Sequence, residues 1–146
     1  MRTFVLVLLG TLGASAGVED TLAQREGWAA YKASLDGEVA EVNTACGSRL
    51  SAVYDKSTYP TFDPIQDRTQ SACEQAVNAL ASLCLTDAGK ASVKAIARAS
   101  CRFSTEGTRV RRREGVLWID IDPKNSSIVG KEPGSYSWKS ALSEVL

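Results

Sequence analysis

The longest periodic stretch of the chain, Thr21 to Cys46, predicts an amphipathic helix. Its large apolar residues recur at helical spacing and fall within an arc of roughly 80°; they are Trp28, Tyr31, Leu35, Val39, Val42 and Cys46. The apolar phase continues across Gly37, so we expect one helix, ending at Gly47 because glycine is common just past a helix C-terminus. A second stripe on this helix would let another helix or a second copy of the chain approach closely; it consists of Leu22, Ala29, Ala33 and Ala40.

Residues 72–101 predict two shorter helices folded back on each other. The first presents an apolar face at helical spacing, formed by Cys73, Val77, Leu80 and Cys84. Thr86 offers an N-cap for the second helix, which we expect to run to Cys101. The predicted second helix would carry Val93, Ile96, Ala97 and Ser100.

Beyond Cys101 the hydrophobic period changes from helical to alternating. Residues 108–113 and 116–121 flank Glu114-Gly115, a suitable two-residue turn because glycine tolerates positive φ. Pairing outward from the turn places Arg111 opposite Trp118. The other face of this hairpin is the more apolar one, so we expect it to lie against the helices and Trp118 to be partly exposed on the outer face.

The remaining segments are shorter. Residues 49–55 alternate and predict a short strand, Asp63 and Pro64 are typical of a helix start, and Ser137 caps a last helix. The predicted fold class is therefore α+β, with three to four helices packed on a small antiparallel sheet made of the late hairpin and one short strand.

The N-terminus has the pattern of a secretory signal peptide. A short basic start is followed by an apolar run over residues 4–12, which is too short for a membrane span. We expect residues 1–16 to be removed after Ala16, leaving a single soluble domain, residues 17–146, that is secreted or periplasmic and has no transmembrane segment. Asn125 begins an N-glycosylation acceptor pattern, which matters only if the source is eukaryotic.

Four cysteines in an exported chain predict two disulfides. Cys73 and Cys84 are eleven residues apart on one helix, roughly 16 Å, which exceeds the reach of a disulfide. The antiparallel helical hairpin brings Cys73 and Cys101 to one end, so we predict Cys46–Cys84 and Cys73–Cys101. The alternative, Cys46–Cys73 with Cys84–Cys101, requires that the second helix be broken.

The charged residues are segregated along the chain. The sequence has 17 basic residues, 17 acidic residues and no histidine, a balance that argues against a dedicated nucleic-acid-binding protein. Residues 90–113 nevertheless carry eight basic residues against the single acid Glu106. Four of them, Lys90, Lys94, Arg98 and Arg102, recur every fourth residue and would form a stripe on the predicted second helix.

Two interpretations of this basic segment are open. In one, the acidic first helix neutralises it and Arg111 stacks on Trp118. In the other, it forms a basic face for an anionic partner such as an acidic protein, a glycan or a lipid surface. The binding residues would then be Lys94, Arg98, Arg102, Arg109, Arg111, Arg113 and Trp118.

Catalytic arrangements are poorly supported. Without histidine, Ser-His-Asp and Cys-His systems cannot form. Asp120, Asp122 and Glu114 lie close along the predicted hairpin, and paired carboxylates are the machinery of glycan hydrolases. Asp120 also lies opposite Arg109, and Asp122 begins a turn, so we favour structural roles for both. The cysteines lack zinc-ligand spacing, and we expect neither a metal nor a cofactor.

These patterns predict a small, exported, non-catalytic binding protein of the inhibitor, toxin-neutralising or adaptor type that uses its basic face. The alternatives are a glycan hydrolase and a structural component of an envelope assembly. The small-residue stripe of the first helix would suit homo-oligomerisation in the last case.

Overall fold

The computed structural model describes residues 21–60, 66–125, 127–130 and 137–146. These ranges contain four helices, one short 3-10 helix and four strands. In chain order they are α1 (Leu22–Cys46), β1 (Ser51–Tyr54), the 3-10 helix (Lys56–Thr58), α2 (Gln66–Leu83), α3 (Asp87–Lys94), β2 (Arg98–Phe103), β3 (Arg109–Arg113), β4 (Val116–Ile121) and α4 (Ser137–Val145). The predicted α+β class with two disulfides is confirmed.

Helix α1 is continuous, as the apolar periodicity predicts. It begins with a capping box in which the Thr21 hydroxyl accepts from the Gln24 N–H and the Gln24 side chain accepts from the Thr21 N–H. It ends at Gly47, whose φ of 63° is in the left-handed region that glycine adopts without penalty. The small-residue stripe predicted on α1 is exposed, with Leu22 64% accessible.

The second helix of the predicted helical hairpin is shorter than we expected. Helix α3 ends at Lys94, and Arg98–Phe103 forms strand β2 instead. The chain leaves the helix at Ala95, and two residues later the Ala97 N–H already donates to the Gly115 carbonyl at 2.8 Å. The ladder hydrogen bonds of a central strand therefore outweigh the modest helix preference of an alanine- and arginine-containing segment.

The sheet has the order β1-β2-β4-β3 and is mixed rather than purely antiparallel. Strand β2 pairs in parallel with both β1 and β4, and only β3 and β4 are antiparallel. The predicted antiparallel pairing is correct only for β3 with β4. The prediction did not include β2, and both pairings of β2 are parallel. Helices α2 and α3 supply the crossover that a parallel β1–β2 connection requires.

The hairpin register is as predicted. Arg111 pairs with Trp118, and the two turn residues Glu114 and Gly115 have φ values of 53° and 76°. Positive φ at both positions is characteristic of the turn that matches the twist of a two-residue hairpin. Trp118 is half-buried, whereas its neighbours in β4, Leu117 and Ile119, are fully buried.

The helices cover one face of the sheet. Their apolar residues meet the alternating buried residues of the strands in one core. The two disulfides lie in this core, with Cα–Cα distances of 5.2 Å for Cys46–Cys84 and 5.9 Å for Cys73–Cys101. The predicted pairing is confirmed, although Cys101 belongs to a strand rather than to the end of a helix.

The predicted signal peptide and the Asp63-Pro64 helix start lie outside the described residues. None of the helices in the described ranges is long and apolar enough to cross a lipid bilayer.

Candidate functional site

The sheet face that points away from the helices is dominated by arginine. Residues on β2, β3 and β4 alternate between the core and this outer face. The registers of β2 with β4 and of β3 with β4 bring the outward residues side by side. We call this surface the arginine face; it consists of Arg98, Ser100, Arg102, Arg109, Arg111, Arg113, Val116, Trp118 and Asp120.

Asp120 lies at the centre of the arginine face and holds two guanidinium groups. Arg102 Nε donates to Asp120 Oδ1 at 2.7 Å, and Arg111 Nη2 donates to Asp120 Oδ2 at 2.6 Å. The Asp120 side chain is only 10% exposed, against 27% for Arg102 and 59% for Arg111. The carboxylate is thus covered by the two arginines that it fixes in place, and charge-assisted bonds of this kind are the stronger ones.

Trp118 packs against one of these fixed arginines. The guanidinium carbon of Arg102 lies 4.7 Å from the centroid of the Trp118 ring, within the range of a cation–π contact. Arg111 is the cross-strand neighbour of Trp118, as predicted, but the guanidinium that stacks on the ring is that of Arg102 and not that of Arg111. Arg102 takes that place because β2, which the sequence did not predict, lies directly beside β4 on the other side.

The other three arginines of the face are exposed to solvent. Arg113 lies near Glu114 at 3.5 Å, but both side chains are 81% exposed, so this pair contributes little. Within the described ranges Arg98 and Arg109 form no ion pair. Five guanidinium groups therefore share the face with the one carboxylate of Asp120, a formal excess of four positive charges.

The acidic residues of α1 do not neutralise this excess. In the part of the chain that the structure describes, the salt bridges of the face arginines go only to Asp120 and to Glu114. The acids of α1 contact residues of α1 and α2 instead: Asp36 pairs with Lys32, and Glu38 accepts from the Asn78 side chain. The interpretation that the two charged regions satisfy each other is not supported by these contacts.

Six of the seven predicted binding residues come together on the arginine face. Lys94 does not, because it lies at the end of α3. The predicted helical stripe through Lys90, Lys94, Arg98 and Arg102 does not exist as such, since its last two members are strand residues. Sequence reasoning missed Ser100 as a member of the face. The alternation Arg98, Ser100, Arg102 is the signal that could have revealed it.

The carboxylates considered for hydrolysis have structural partners. Besides the two arginines on Asp120, the Asp122 side chain accepts from the Gly107 N–H at 3.2 Å and from the Lys124 N–H at 2.9 Å. Glu114 lies in the exposed hairpin turn. The described residues also contain no cluster of three acidic, cysteine or histidine side chains suited to a metal ion.

The chain was compared with protein-family models, curated proteins and solved structures, and no match was found in any of the three.

Proposed function

We propose that this chain is an exported, non-catalytic binding protein whose arginine face docks against an acidic surface of a partner protein. The observation that carries the proposal is the excess of four positive charges on a sheet face with no helix packed on it in the described ranges. Two buried disulfides support export, because such bonds persist in oxidising compartments.

Side-by-side arginines are unfavourable for the isolated fold. Arg109, Arg111 and Arg113 alternate along one short edge strand, so like charges lie at close spacing, and of the three only Arg111 has a buried carboxylate partner. Charged residues on an edge strand also discourage unwanted strand pairing. That role does not explain Arg98, which lies on the strand between β1 and β4.

The composition of the face favours a protein partner over a glycan or a lipid surface. All five cations are arginine, whose planar guanidinium binds carboxylates in a bidentate manner. Arginine and tryptophan are the residue types that dominate binding energy at protein interfaces, and Arg102 with Trp118 forms such a pair at the centre of the face. The Asp120 carboxylate holds the guanidinium groups of Arg102 and Arg111 in fixed positions, which suits carboxylates that are themselves held in place on a protein surface.

The test uses three defined anionic probes: polyglutamate, heparin and vesicles containing phosphatidylglycerol. The face variant carries Arg98→Glu with Arg109→Glu, because neither residue forms an ion pair in the described ranges. The matched control carries Arg68→Glu with Lys139→Glu, two exposed residues of α2 and α4, and changes net charge by the same amount.

We expect the wild type and the control to bind polyglutamate, and the face variant to bind it at least about tenfold more weakly. Binding should also weaken as salt rises from about 50 to about 300 mM, since exposed charges are screened. Equal binding by the face variant and the control contradicts a role for this face. Binding of heparin or vesicles without polyglutamate contradicts the choice of a protein partner.

A further inference from the structure

A second candidate site lies at the opposite edge of the sheet from β3. It is a cavity of about 370 Å³ between the first half of α1 and the segment formed by β1 and the 3-10 helix. This volume lies within the range of about 300 to 1,000 Å³ that is usual for small-molecule sites. The proposed function of the arginine face makes no use of it.

The wall of the cavity is mostly apolar and aromatic. Ala29 and Val53 line it together with the rings of Trp28 and Tyr54. Those two ring centroids are 5.9 Å apart, and the Tyr59 ring meets Trp28 edge-on at 5.0 Å. Rings that pack against one another in this way form a rigid surface suited to the flat body of an aromatic ligand.

Three basic side chains surround this apolar wall. They are Arg25, Lys32 and Lys56, and no acidic residue lines the cavity among the described residues. The Lys56 ammonium lies 5.3 Å from the centroid of the Trp28 ring. Arg25 forms no ion pair within the described ranges, and Lys32 pairs with Asp36 one turn further along α1. An apolar wall beside this many cations suits a ligand with an apolar body and an anionic head.

Two tyrosines of the aromatic cluster around Trp28 have buried hydroxyls. The buried hydroxyl oxygens of Tyr54 and Tyr59 have no hydrogen-bond partner among the described residues. Burial raises the pKa of both hydroxyls, so each remains a neutral donor at physiological pH. Buried polar groups are normally paired. Because both hydroxyl oxygens are buried, they are not part of the wall that a ligand would touch.

We propose that this cavity binds a small aromatic carboxylate. The ring of the ligand lies against Trp28 and Val53, and its carboxylate faces Arg25 and Lys56. A cavity of this volume equals about twelve water volumes at roughly 30 Å³ each, which is enough for a bicyclic ring and one carboxylate.

The test titrates naphthoate into the full chain and follows the indole N–H signal of Trp28 by nitrogen-edited NMR. Naphthylmethanol, which has the same ring and no charge, is the matched neutral probe. Three variants separate the parts of the site. Arg25→Gln with Lys56→Gln removes cations, Ala29→Phe fills the cavity from an exposed helix position, and Lys90→Gln with Lys139→Gln is the charge-matched control.

We expect naphthoate to shift the Trp28 signal in a saturable way and to bind at least about tenfold more tightly than naphthylmethanol. The cation variant should lose about tenfold in affinity, Ala29→Phe should lose saturable binding, and the control should match the wild type. Circular dichroism establishes that each variant is folded.

Three results at the cavity itself would overturn the proposal. They are equal affinity for the neutral probe, binding by Ala29→Phe at wild-type strength, and no perturbation of Trp28 at millimolar naphthoate. Loss of binding in the variant carrying Arg98→Glu with Arg109→Glu would place naphthoate on the arginine face instead, which also overturns it. Because that face variant is separate, failure here leaves the proposed function of the arginine face unaffected.

Discussion

Removal of the Cys73–Cys101 disulfide should destabilise the fold more than removal of Cys46–Cys84. The perturbation is a double substitution to alanine at each bridge in turn. Cys73 and Cys101 are both completely buried and join the middle of α2 to the central strand β2. Cys46 and Cys84 are buried too, but they lie at the C-terminal ends of α1 and α2, where we expect the chain to adjust to their loss more readily than beneath the sheet.

The magnitudes follow from loop length and from packing. A bridge across 28 residues contributes about 3.6 kcal/mol by the chain-entropy relation, and one across 38 residues about 3.9 kcal/mol. Loop entropy alone therefore makes Cys46–Cys84 slightly the more important bridge. Deleting two fully buried sulfur atoms beneath the sheet adds about 1 to 2 kcal/mol of lost packing. The total for Cys73–Cys101 is then about 5 kcal/mol, a large part of the stability of an ordinary domain.

Urea denaturation followed by circular dichroism measures both losses. We expect a lower midpoint for Cys73→Ala with Cys101→Ala than for the other double variant. Cys73→Ala with Cys101→Val should recover part of the difference, because valine refills the volume and suits a strand. A lower midpoint for the Cys46 and Cys84 variant would refute the reasoning that core packing, rather than loop entropy, distinguishes the two bridges.

Three further changes have expected outcomes for stability. Gly89→Ala should destabilise the fold by more than about 2 kcal/mol, because a Cβ there would lie 1.8 Å from a backbone carbonyl oxygen at the end of α2. Gly37→Ala, which has open space around the new Cβ, should stabilise the fold by about 1 kcal/mol. Thermal melts compare the two variants. Glu114→Asn should stabilise the hairpin by about 0.5 to 1 kcal/mol, because asparagine tolerates the positive φ of this position better. Burial raises the pKa of Tyr54 and Tyr59, so the native state holds these protons more tightly than the unfolded chain does. The free energy of unfolding should therefore fall as pH rises above about 10, the ordinary tyrosine pKa. Urea melts at a series of alkaline pH values measure the fall.

Each of these has a contradicting result. Equal effects of Gly89→Ala and Gly37→Ala on the melting temperature would mean that the backbone near Gly89 is not closely packed. A loss of stability in Glu114→Asn would argue against the positive φ at the turn. An alkaline stability profile that is unchanged by Tyr54→Phe with Tyr59→Phe would mean that these two hydroxyls titrate alike in both states.

The elements with strong local signals could be predicted from the sequence. The apolar periodicity of α1, the glycine that ends it and the Glu114-Gly115 turn are each encoded by residues close together in the chain. The turn also fixes the register of β3 with β4, because a slip of one residue would move Ile119 from the core to solvent.

Strand β2 could not be predicted by the same reasoning. Val93, Ile96 and Ala97 continue a helical spacing from α3, and short apolar runs do not distinguish a helix from a buried strand. What decides the conformation of residues 98–103 is non-local, namely the hydrogen bonds to β1 and β4 on either side. The parallel pairing of the sheet, and with it the mixed topology, was missed for the same reason.

The disulfide pairing was predicted correctly although one premise failed. The helix that was expected to carry Cys101 to the position of Cys73 is broken after Lys94. Such a break would have allowed the alternative bridge from Cys84 to Cys101. The correct pairing forms because β2 runs beneath α2, which places Cys101 opposite Cys73.

The candidate site was predicted in composition but not in arrangement. Alternation on β3 indicated an outward row of arginines beside Trp118. The contribution of Arg98 and Arg102 from a neighbouring strand, and the central position of Asp120 between two guanidinium groups, depend on sheet order. Sheet order is set by tertiary packing and has no local pattern in this sequence.

Affinity capture from the exported fraction of the native source tests the binding role of the arginine face most directly. The wild type, the face variant with Arg98→Glu and Arg109→Glu, and the control with Arg68→Glu and Lys139→Glu serve as baits, and quantitative mass spectrometry compares what each retains. We expect a protein with an acidic surface that the wild type and the control both retain, that high salt releases, and that the face variant fails to retain. The same set of proteins retained by the face variant and by the wild type would contradict it.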